Sequence, residues 1–297
     1  MTRKVGASDW MFARFMSQAT PLYHHSFAVG ELVLTQLDDG AVEHRLAHNY
    51  FGVNVGKATF NAFSKEEGIS TDAFSFPATV SLIDGDGERI LVDAGHGPKS
   101  APGAGRLPIA MEQAGIVPES VTHVLISHLH RDHIGGLLDA SGNPVFTNAR
   151  HWVSPLEMTY WLGPASGSPI SVAAEGLMDA LGQKLSYITP GDELVRGVSI
   201  VDSAGHTPGH YCVMLESAGD QMLLASDIAN HPVWSIKRPR WHMSLDVDAT
   251  IAAATRVRLL GKLADEAIPF SGYHMPFPAI GRVVRDGDGF CYVPGFP

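Results

Sequence analysis

Cysteine is scarce in this sequence: its 297 residues contain two, Cys212 and Cys291. Thiols that lie this far apart in the chain provide neither a disulfide framework nor the paired cysteines of a zinc knuckle. Their scarcity excludes the class of small disulfide-stabilised secreted proteins and fits a reducing compartment. We therefore expect a cytoplasmic protein.

Long apolar runs and an excess of positive charge are also absent. No apolar segment approaches the roughly 18 residues that a membrane-spanning helix requires, so we expect no membrane partner. Acidic residues outnumber basic ones by 31 to 21, which gives a net charge of −10. Nucleic-acid binding depends on a cationic surface. The charge balance therefore disfavours nucleic acid as a partner, and we expect none.

The length and the order of the predicted elements favour one large domain over two. A chain of 297 residues would fit either organisation at about 100–200 residues per domain, but no stretch marks a linker. Short apolar strands in two sets, each followed by helices, are typical of an α/β protein with helices on the outside. We predict an N-terminal arm over residues 1–30 and a single domain over residues 31–297.

The predicted arm carries large apolar side chains at mixed helical spacings, namely Trp10, Phe12, Phe15 and Met16. Such side chains form an apolar face that packs against another surface. Docking on its own domain is the simpler interpretation. A contact between two copies in a homodimer is the alternative.

Three segments of the domain have clear hydrophobic patterns, and one does not. Residues 31–37 and 121–127 predict strands, and residues 248–264 predict a helix. Residues 41–75 contain aromatic side chains without a clear period. A long segment of this kind in a compact domain is often functional.

The most informative segment follows the predicted strand 121–127 and reads HLHRDH. Four of its six side chains are potential metal ligands. Alternate side chains of an extended segment share a face, so His128, His130 and Asp132 are expected to converge, whereas His133 joins them only where the chain turns. The glycines at positions 135 and 136 give the backbone room to turn. The alternative, histidines scattered by chance on a polar loop, is a poor explanation for four potential ligands in six consecutive positions.

Three further potential ligands occur in the same context, just after an apolar strand. His206 lies within AGHTPGH, Asp227 follows QMLLAS, and His274 follows AIPFSGY. Strand ends at one edge of a sheet are where α/β folds collect functional groups. Together with HLHRDH these residues complete a set of seven potential ligands.

In this order, the seven residues resemble the metal-binding motifs of the metallo-β-lactamase superfamily of hydrolases. The resemblance runs from about residue 76 to the end, and ILVDAGHG, AGHTPGH and SDIANHP are similar to further motifs of the superfamily. It is closest to the branches of the methyl parathion hydrolases and the N-acyl homoserine lactonases. The ending YHMPFPAIGRVVRDGDGFCYVPGFP is particularly similar to the former. Residues 41–75 carry no part of the resemblance.

The resemblance implies an α/β fold of the four-layer αββα sandwich type, with two metal ions at one edge. One ion would be bound by His128, His130 and His206, and the other by Asp132, His133 and His274. Asp227 would bridge the two ions. Imidazole and carboxylate ligands suit zinc, with manganese, cobalt or iron as alternatives. Asp132 and Asp227 would be the catalytic carboxylates, and a hydroxide held between the metals would be the nucleophile.

Two side chains are expected to support the ligands without binding metal. Asp93 ends the motif ILVD, and the resemblance places it where a carboxylate orients a ligating imidazole. His210 lies four residues after His206 and is a candidate for a similar role. A purely structural role is the alternative for each.

Three side chains are candidates for the substrate pocket. Homoserine lactonases carry a tyrosine three residues after the bridging aspartate, where this chain has Asn230. An amide donates a hydrogen bond but not a phenolic proton. Trp161 lies in a segment that resembles the aromatic pocket mouth of the methyl parathion hydrolases, and Trp234 follows Asp227 by seven residues. Core packing is the alternative for both tryptophans.

These features predict a dinuclear metal-dependent hydrolase of small hydrophobic lactones or esters. The first alternative is a hydrolase of aryl phosphotriesters of the methyl parathion type. The alternative from another class is a non-catalytic relative that binds metal, which the complete ligand set disfavours.

Overall fold

The computed structural model describes residues 21–295 of the chain. Within them, fourteen strands form two seven-stranded sheets, and each sheet consists of strands that follow one another in the sequence. The first sheet contains β1 (His24–Val29), β2 (Leu32–Arg45), β3 (Ala73–Gly85), β4 (Glu88–Val92), β5 (His123–Ile126), β6 (Arg150–Val153) and β7 (Leu185–Tyr187). The second contains β8 (Glu193–Val195), β9 (Val198–Asp202), β10 (Tyr211–Ser217), β11 (Asp220–Leu224), β12 (Phe270–Ser271), β13 (Ile280–Asp286) and β14 (Gly289–Pro294).

The helices of the described residues lie between strands or at their ends. The α-helices are α1 (Lys57–Glu66), α2 (Leu107–Gln113), α3 (Arg131–Ile134), α4 (Pro155–Leu162), α5 (Pro169–Leu181), α6 (Trp234–Lys237) and α7 (Ala249–Asp265). Single 3₁₀ turns occur at Ala47–Asn49, Pro118–Ser120, Gly135–Leu137, Gly182–Lys184 and Ser226–Ile228. No helix in residues 21–295 is long and apolar enough to cross a bilayer.

Apolar side chains cover both faces of both sheets, which produces four layers. Leu34 and Leu125 of the first sheet meet Val213 and Leu215 of the second in the space between them. The outer face of the first sheet packs against α2, α4 and α5. The outer face of the second packs against α7 through side chains such as Leu260. This arrangement confirms the predicted αββα sandwich.

The strand predicted over residues 31–37 does not end at the following Asp-Asp-Gly, because β2 continues to Arg45. Its pairing with β3 shifts register between Asp38 and Gly40. Gly40 has a φ of 96°, and a Cβ there would lie 2.1 Å from the carbonyl oxygen of Gly103. Glycine therefore lets the strand pass through an irregularity that the sequence pattern indicates as a stop.

Residues 41–75, which have no visible period, are ordered in this structure. They contain the end of β2, helix α1 and the start of β3. Their aromatic side chains, including Phe51, Phe60 and Phe74, pack with Trp234 in an apolar group of their own. Because these side chains come from a loop, a helix and a strand and pack on one another, no single strand or helix period predicts them.

The predicted helix over residues 248–264 is confirmed as α7, which Asp248 caps by accepting hydrogen bonds from the backbone N–H groups of Thr250 and Ile251. At the other end of the chain, β1 pairs with β2 along its whole length. Residues 1–20, with the apolar side chains of the predicted arm, lie outside the described residues. The boundary between arm and domain and the homodimer contact stay predictions.

Candidate metal centre

The seven side chains predicted as ligands lie together at one edge of the sandwich. One set of ligand atoms, all within 4.8 Å of one another, comes from His128, His130, His206 and Asp227. A second set with the same spacing comes from Asp132, His133 and His274. The three histidines of the first set are called the first metal group here, and the three residues of the second set are called the second metal group.

The HLHRDH segment supplies both groups because its backbone changes conformation midway. His130 has an extended backbone, with φ −66° and ψ 149°, and α3 begins at the next residue. Asp132 and His133 therefore project from a helical turn, as His133 requires. The glycines at 135 and 136 have a different purpose from the predicted one. A Cβ at either would lie 2.0 Å from a carbonyl oxygen, of His96 and Ala94 respectively.

Asp227 lies between the two groups. Its Oδ2 is 3.3 Å from Nε2 of His206 and 3.2 Å from Nε2 of His274. Its Oδ1 is 3.2 Å from Nε2 of His133. The buried carboxylate of one residue thus faces ligand atoms of both groups, which is the position that a bridging ligand requires.

In the first metal group, two of the three ring nitrogens that point away from the centre have a named partner, those of His206 and His128. Nδ1 of His206 lies 2.9 Å from Oδ1 of Asp246, and the other oxygen of Asp246 lies 3.4 Å from the buried guanidinium of Arg256. Nδ1 of His128 lies 3.1 Å from Oγ of Ser127. These contacts leave Nε2 of both rings directed at the centre. Sequence reasoning missed Asp246, which is 40 residues away from His206.

In the second metal group, the partners are close to the first sheet. Nδ1 of His133 lies 2.8 Å from Oδ2 of Asp93, whose carboxylate also accepts from the backbone N–H and the hydroxyl of Ser127. Nδ1 of His274 donates to the carbonyl oxygen of Pro77 at 2.6 Å. Asp93 therefore lies where the sequence predicts it, beside a candidate ligand.

Tyr273 is a further neighbour of the second metal group that sequence reasoning missed. Its ring stacks on His133 with the centroids 3.9 Å apart. Its hydroxyl donates to the backbone carbonyl of Asp132 at 2.5 Å. One side chain thus contacts two residues of the group. Its only sequence signal is its position next to His274.

His210 contacts the bridge position and not a ligand atom. Burial lowers its pKa to about 3, so its ring is neutral. Nε2 accepts a hydrogen bond from the backbone N–H of Asp227 at 3.1 Å, which leaves Nδ1–H to donate to the carbonyl oxygen of Ser203 at 3.1 Å. His210 therefore fixes the backbone from which the Asp227 carboxylate projects.

The charges at the centre are strongly coupled. Burial and the charge of His206 lower the pKa of His130 to about 3. For His206 itself, hydrogen bonds to Asp227 and Asp246 outweigh burial and raise the pKa to about 9. The carboxylates of Asp227 and Asp93 likewise outweigh burial and raise the pKa of His133. Because imidazole binds metal only when unprotonated, a divalent cation would have to displace the extra proton of His206 and of His133, whereas His130 is already neutral.

The arrangement fits two divalent ions. Nε2 of His133 and Oδ1 of Asp227 are buried without a hydrogen-bond partner among the described residues. Nδ1 of His130 lies 3.1 Å from Nε2 of His128 and 3.0 Å from Nε2 of His206. A tetrahedral ion with bonds of about 2.0–2.1 Å separates its nitrogen ligands by roughly 3.3 Å. The donors, imidazole nitrogens and carboxylate oxygens, suit zinc and neighbouring first-row metals.

The three candidate pocket residues differ in their surroundings. Asn230 is buried, and its amide donates to Oδ2 of Asp227 at 2.8 Å. Trp161 is buried with its ring centroid 5.8 Å from that of His130. Trp234 is buried against Phe51 and Phe60 and donates from Nε1 to Ser64. Their assignment to a substrate pocket stays a prediction.

A cavity of about 400 Å³ adjoins the second metal group at His274. Its lining is largely apolar and includes Phe74, Pro77, Pro232 and Trp234. Phe74 comes from the segment 41–75 that the sequence pattern leaves unexplained. That segment therefore contributes one wall of a cavity beside the metal centre.

Comparison with known proteins places these features in a family. Residues 75–271 match the model of the metallo-beta-lactamase superfamily. An N-acyl homoserine lactonase of Bacillus sp is 25% identical over 170 residues, which are 57% of this chain and 62% of the relative. The chain thus spans about six tenths of the length of the curated relatives it matches.

Two solved structures share the architecture across nearly the whole chain. AidC, a dizinc quorum-quenching lactonase solved in complex with a product, has a TM-score of 0.85 at 24% identity and covers 92% of this chain and 97% of its own. The hydrolase AbOPH has a TM-score of 0.84 at 24% identity and covers 93% and 99%. At this level of identity the two likenesses establish the fold.

Proposed function

The chain belongs to the metallo-β-lactamase superfamily, and from that premise we propose that it is a dinuclear metal-dependent hydrolase of small hydrophobic lactones or esters. The observation that carries the proposal is the position of Asp227. Its two carboxylate oxygens face His133 on one side and His206 on the other. A carboxylate placed in this way is suited to hold two ions close together.

The two ions, zinc being the expected metal, would be held by the first and second metal groups with Asp227 between them. When bound, two such ions act as Lewis acids on the substrate oxygen and lower the pKa of water to near neutrality. The chain's own residues fix the geometry. Asp246 and Asp93 orient ligating rings, and Asn230 holds one oxygen of Asp227.

The position of the substrate follows from exposure and from the cavity beside His274. The side chain of Asp132 is 23% exposed, whereas the side chain of Asp227 is 4% exposed. The centre is therefore open to solvent beside Asp132, and His130 of the first metal group is also only partly buried. The adjoining cavity, with Phe74 and Trp234 in its wall, offers an apolar surface for the acyl or aromatic part of an ester.

Lactones are the first substrate class to test, because the matched Bacillus relative is named an N-acyl homoserine lactonase. Asn230 is the feature that favours a second candidate. It occupies the position where the sequence comparison expects a tyrosine, and its amide is already engaged by Asp227. A substrate that needs no phenolic proton from the protein, such as an aryl phosphotriester, is the second candidate.

The test is hydrolysis by metal-replete protein, followed with a pH indicator. The panel contains short- and long-chain acyl homoserine lactones, an aromatic lactone, an aryl ester, methyl parathion and a cephalosporin. We expect kcat/KM above about 10⁴ M⁻¹s⁻¹ on a lactone or an ester, which is ordinary for an enzyme acting on its own substrate class. Chelator-treated protein is the control and should be inactive.

Each outcome of the panel decides between the candidates. Activity on lactones or esters that chelation removes supports the proposal. Activity confined to methyl parathion replaces it with the phosphotriesterase assignment. Protein that binds two metals and hydrolyses none of the panel contradicts the proposed substrate class.

A further inference from the structure

A fully buried carboxylate outside the ligand set connects two loops of the metal centre. Glu157 lies in the first turn of α4 with 0% of its surface exposed. Its Oε2 accepts from the backbone N–H of Leu129 at 3.1 Å and from Nε1 of Trp161 at 2.9 Å. Its Oε1 accepts from the backbone N–H of Gly209 at 2.8 Å. All three partners donate, so the carboxylate acts only as an acceptor.

The two backbone partners belong to the loops that deliver the first metal group. Leu129 lies between His128 and His130, directly after β5 of the first sheet. Gly209 lies in the loop that carries His206, before β10 of the second sheet. Glu157 thus joins the ligand loops of the two sheets, beside a single backbone hydrogen bond of 3.3 Å from the N–H of Tyr211 to the carbonyl oxygen of Ser127.

The close contact between α4 and the loop that carries His206 requires a glycine at position 209. A Cβ on Gly209 would lie 2.6 Å from the backbone nitrogen of Glu157 and 2.6 Å from Oγ of Ser154. The close approach brings the N–H of Gly209 within reach of the carboxylate. The loop and the helix are therefore matched to each other in shape as well as in hydrogen bonding.

The local sequence gives Glu157 a different interpretation. Ser154-Pro155-Leu156-Glu157 has the spacing of a capping box, in which the glutamate returns to the backbone of the capping serine. Ser154 does cap the helix, since its Oγ accepts from the N–H of Leu156. The carboxylate of Glu157 is directed to the two ligand loops instead.

We propose that Glu157 is a positioning residue that sets the geometry of the first metal group. This inference rests on the proposed metal centre. An amide in its place would direct N–H groups at backbone donors, so at least one loop would lose its bond and move. Partners that orient metal ligands contribute about 10–100-fold to metal affinity. Glu157 has no hydrogen bond to the second metal group, whose affinity should change little.

The test compares metal affinities at the two sites in Glu157→Gln and in the unaltered protein. Competition with a chelator gives the two dissociation constants, and absorption of the cobalt-substituted protein reports the coordination of each site. We expect Glu157→Gln to weaken one site by about 10–100-fold and to change its cobalt spectrum. The other site should keep both properties.

Asp39→Asn is the matched control. Asp39 is also a fully buried carboxylate, and it accepts only from His96 and Leu107, which lie outside the ligand loops. Its variant tests whether loss of any buried carboxylate weakens metal binding. We expect both of its dissociation constants to match those of the unaltered protein.

The possible results separate this inference from the proposed function. Unaltered protein that binds no metal overturns the proposed function. Two bound metals in the unaltered protein, with Glu157→Gln affecting both sites equally or neither, overturn the inference, as does a selective loss in Asp39→Asn. If circular dichroism shows that Glu157→Gln does not fold, Glu157→Asp takes its place, because a side chain one methylene shorter cannot reach both loops.

Discussion

The two metal groups are supported in different ways. The second metal group is held by the first sheet and its near neighbours, through Asp93 at the end of β4 and the carbonyl of Pro77 in β3. The first metal group depends on side chains from elsewhere, namely Asp246 in the segment before α7 and Glu157 in α4. Sites on sheet strands are more rigid than sites on loops. The first metal group should therefore be the more sensitive to changes in its surroundings.

The largest expected effect comes from Asp227→Ala, which removes the contact shared by both groups. Breaking a buried charged contact by removing one partner costs about 3–5 kcal/mol, which corresponds to about 10²–10⁴-fold in affinity or rate. We expect a loss of that size in kcat/KM and weaker binding of both metals. Activity assays and metal analysis measure it.

Asp265→Asn is the control for Asp227→Ala, because Asp265 is an exposed partner of Arg285. Its replacement should leave activity and metal content unchanged. Two retained metals and near-normal turnover in Asp227→Ala would show that the bridge assignment is wrong. In that case the two groups would be independent of each other.

Asp93→Asn should have the next largest effect, and it tests how separate the groups are. Asp93 bonds His133, but it also accepts from Ser127, which precedes His128 in the chain. We expect about 100-fold weaker metal binding at the second metal group and a smaller loss at the first. Chelator competition on the two sites measures both. A larger loss of metal affinity at the first metal group than at the second would show that Asp93 mainly supports the first group.

Asp246→Asn should affect the first metal group alone. The amide cannot match the carboxylate as a partner for both His206 and Arg256, so the His206 ring loses its fixed orientation. We expect about 10-fold weaker binding at the first site and no change at the second. Titration of metal-free protein, with each site followed by cobalt absorption, separates the two. Equal weakening at both sites would contradict the expectation.

The smallest expected effect is that of Tyr273→Phe. The variant keeps the ring that stacks on His133 and loses only the hydrogen bond to the carbonyl of Asp132. A single hydrogen bond contributes about 1 kcal/mol to stability. We expect the free energy of unfolding in urea to fall by about that amount, with the affinity of the first metal group unchanged. A changed metal affinity at the first metal group would show that the two groups are coupled, because Tyr273 contacts only the second.

The sequence indicates which candidate ligands come together because their signal is local. HLHRDH is dense, and His206, Asp227 and His274 each follow an apolar strand. Strand ends that meet at one sheet edge bring such residues together whatever the loops between them do. The order of strands and helices predicts an α/β protein with helices outside, whereas the four layers come from the resemblance to the superfamily.

Unlike Asp93, the supporting side chains Glu157 and Asp246 could not be predicted, because their local patterns point to other roles. Glu157 stands in a capping sequence, and Asp246 lies just before the helix that Asp248 caps. Each acts on a residue far away in the chain, which a local pattern cannot indicate. The cavity wall formed by residues 41–75 could not be predicted for a related reason, since its aromatic side chains come from separate elements and pack together on Trp234.

The order of strands along the chain also has a consequence for folding. Residues 24–187 build the whole of the first sheet, and residues 193–294 build the second. His128, His130, Asp132 and His133 belong to the first of these halves, and the other three candidate ligands belong to the second. Neither half on its own holds a complete set for either the first metal group or the second.

If the seven residues bind two ions as proposed, each ion would be bound by residues of both halves and would link them. Each half contains the partners for its own strand pairs. Ligands that bind only the assembled state stabilise it by about 2.7 kcal/mol when their free concentration is 100 times the dissociation constant. The supply of metal would then add to the apolar contacts between the sheets in keeping the two halves docked. It would set the protein's survival against proteases as well as its catalytic competence.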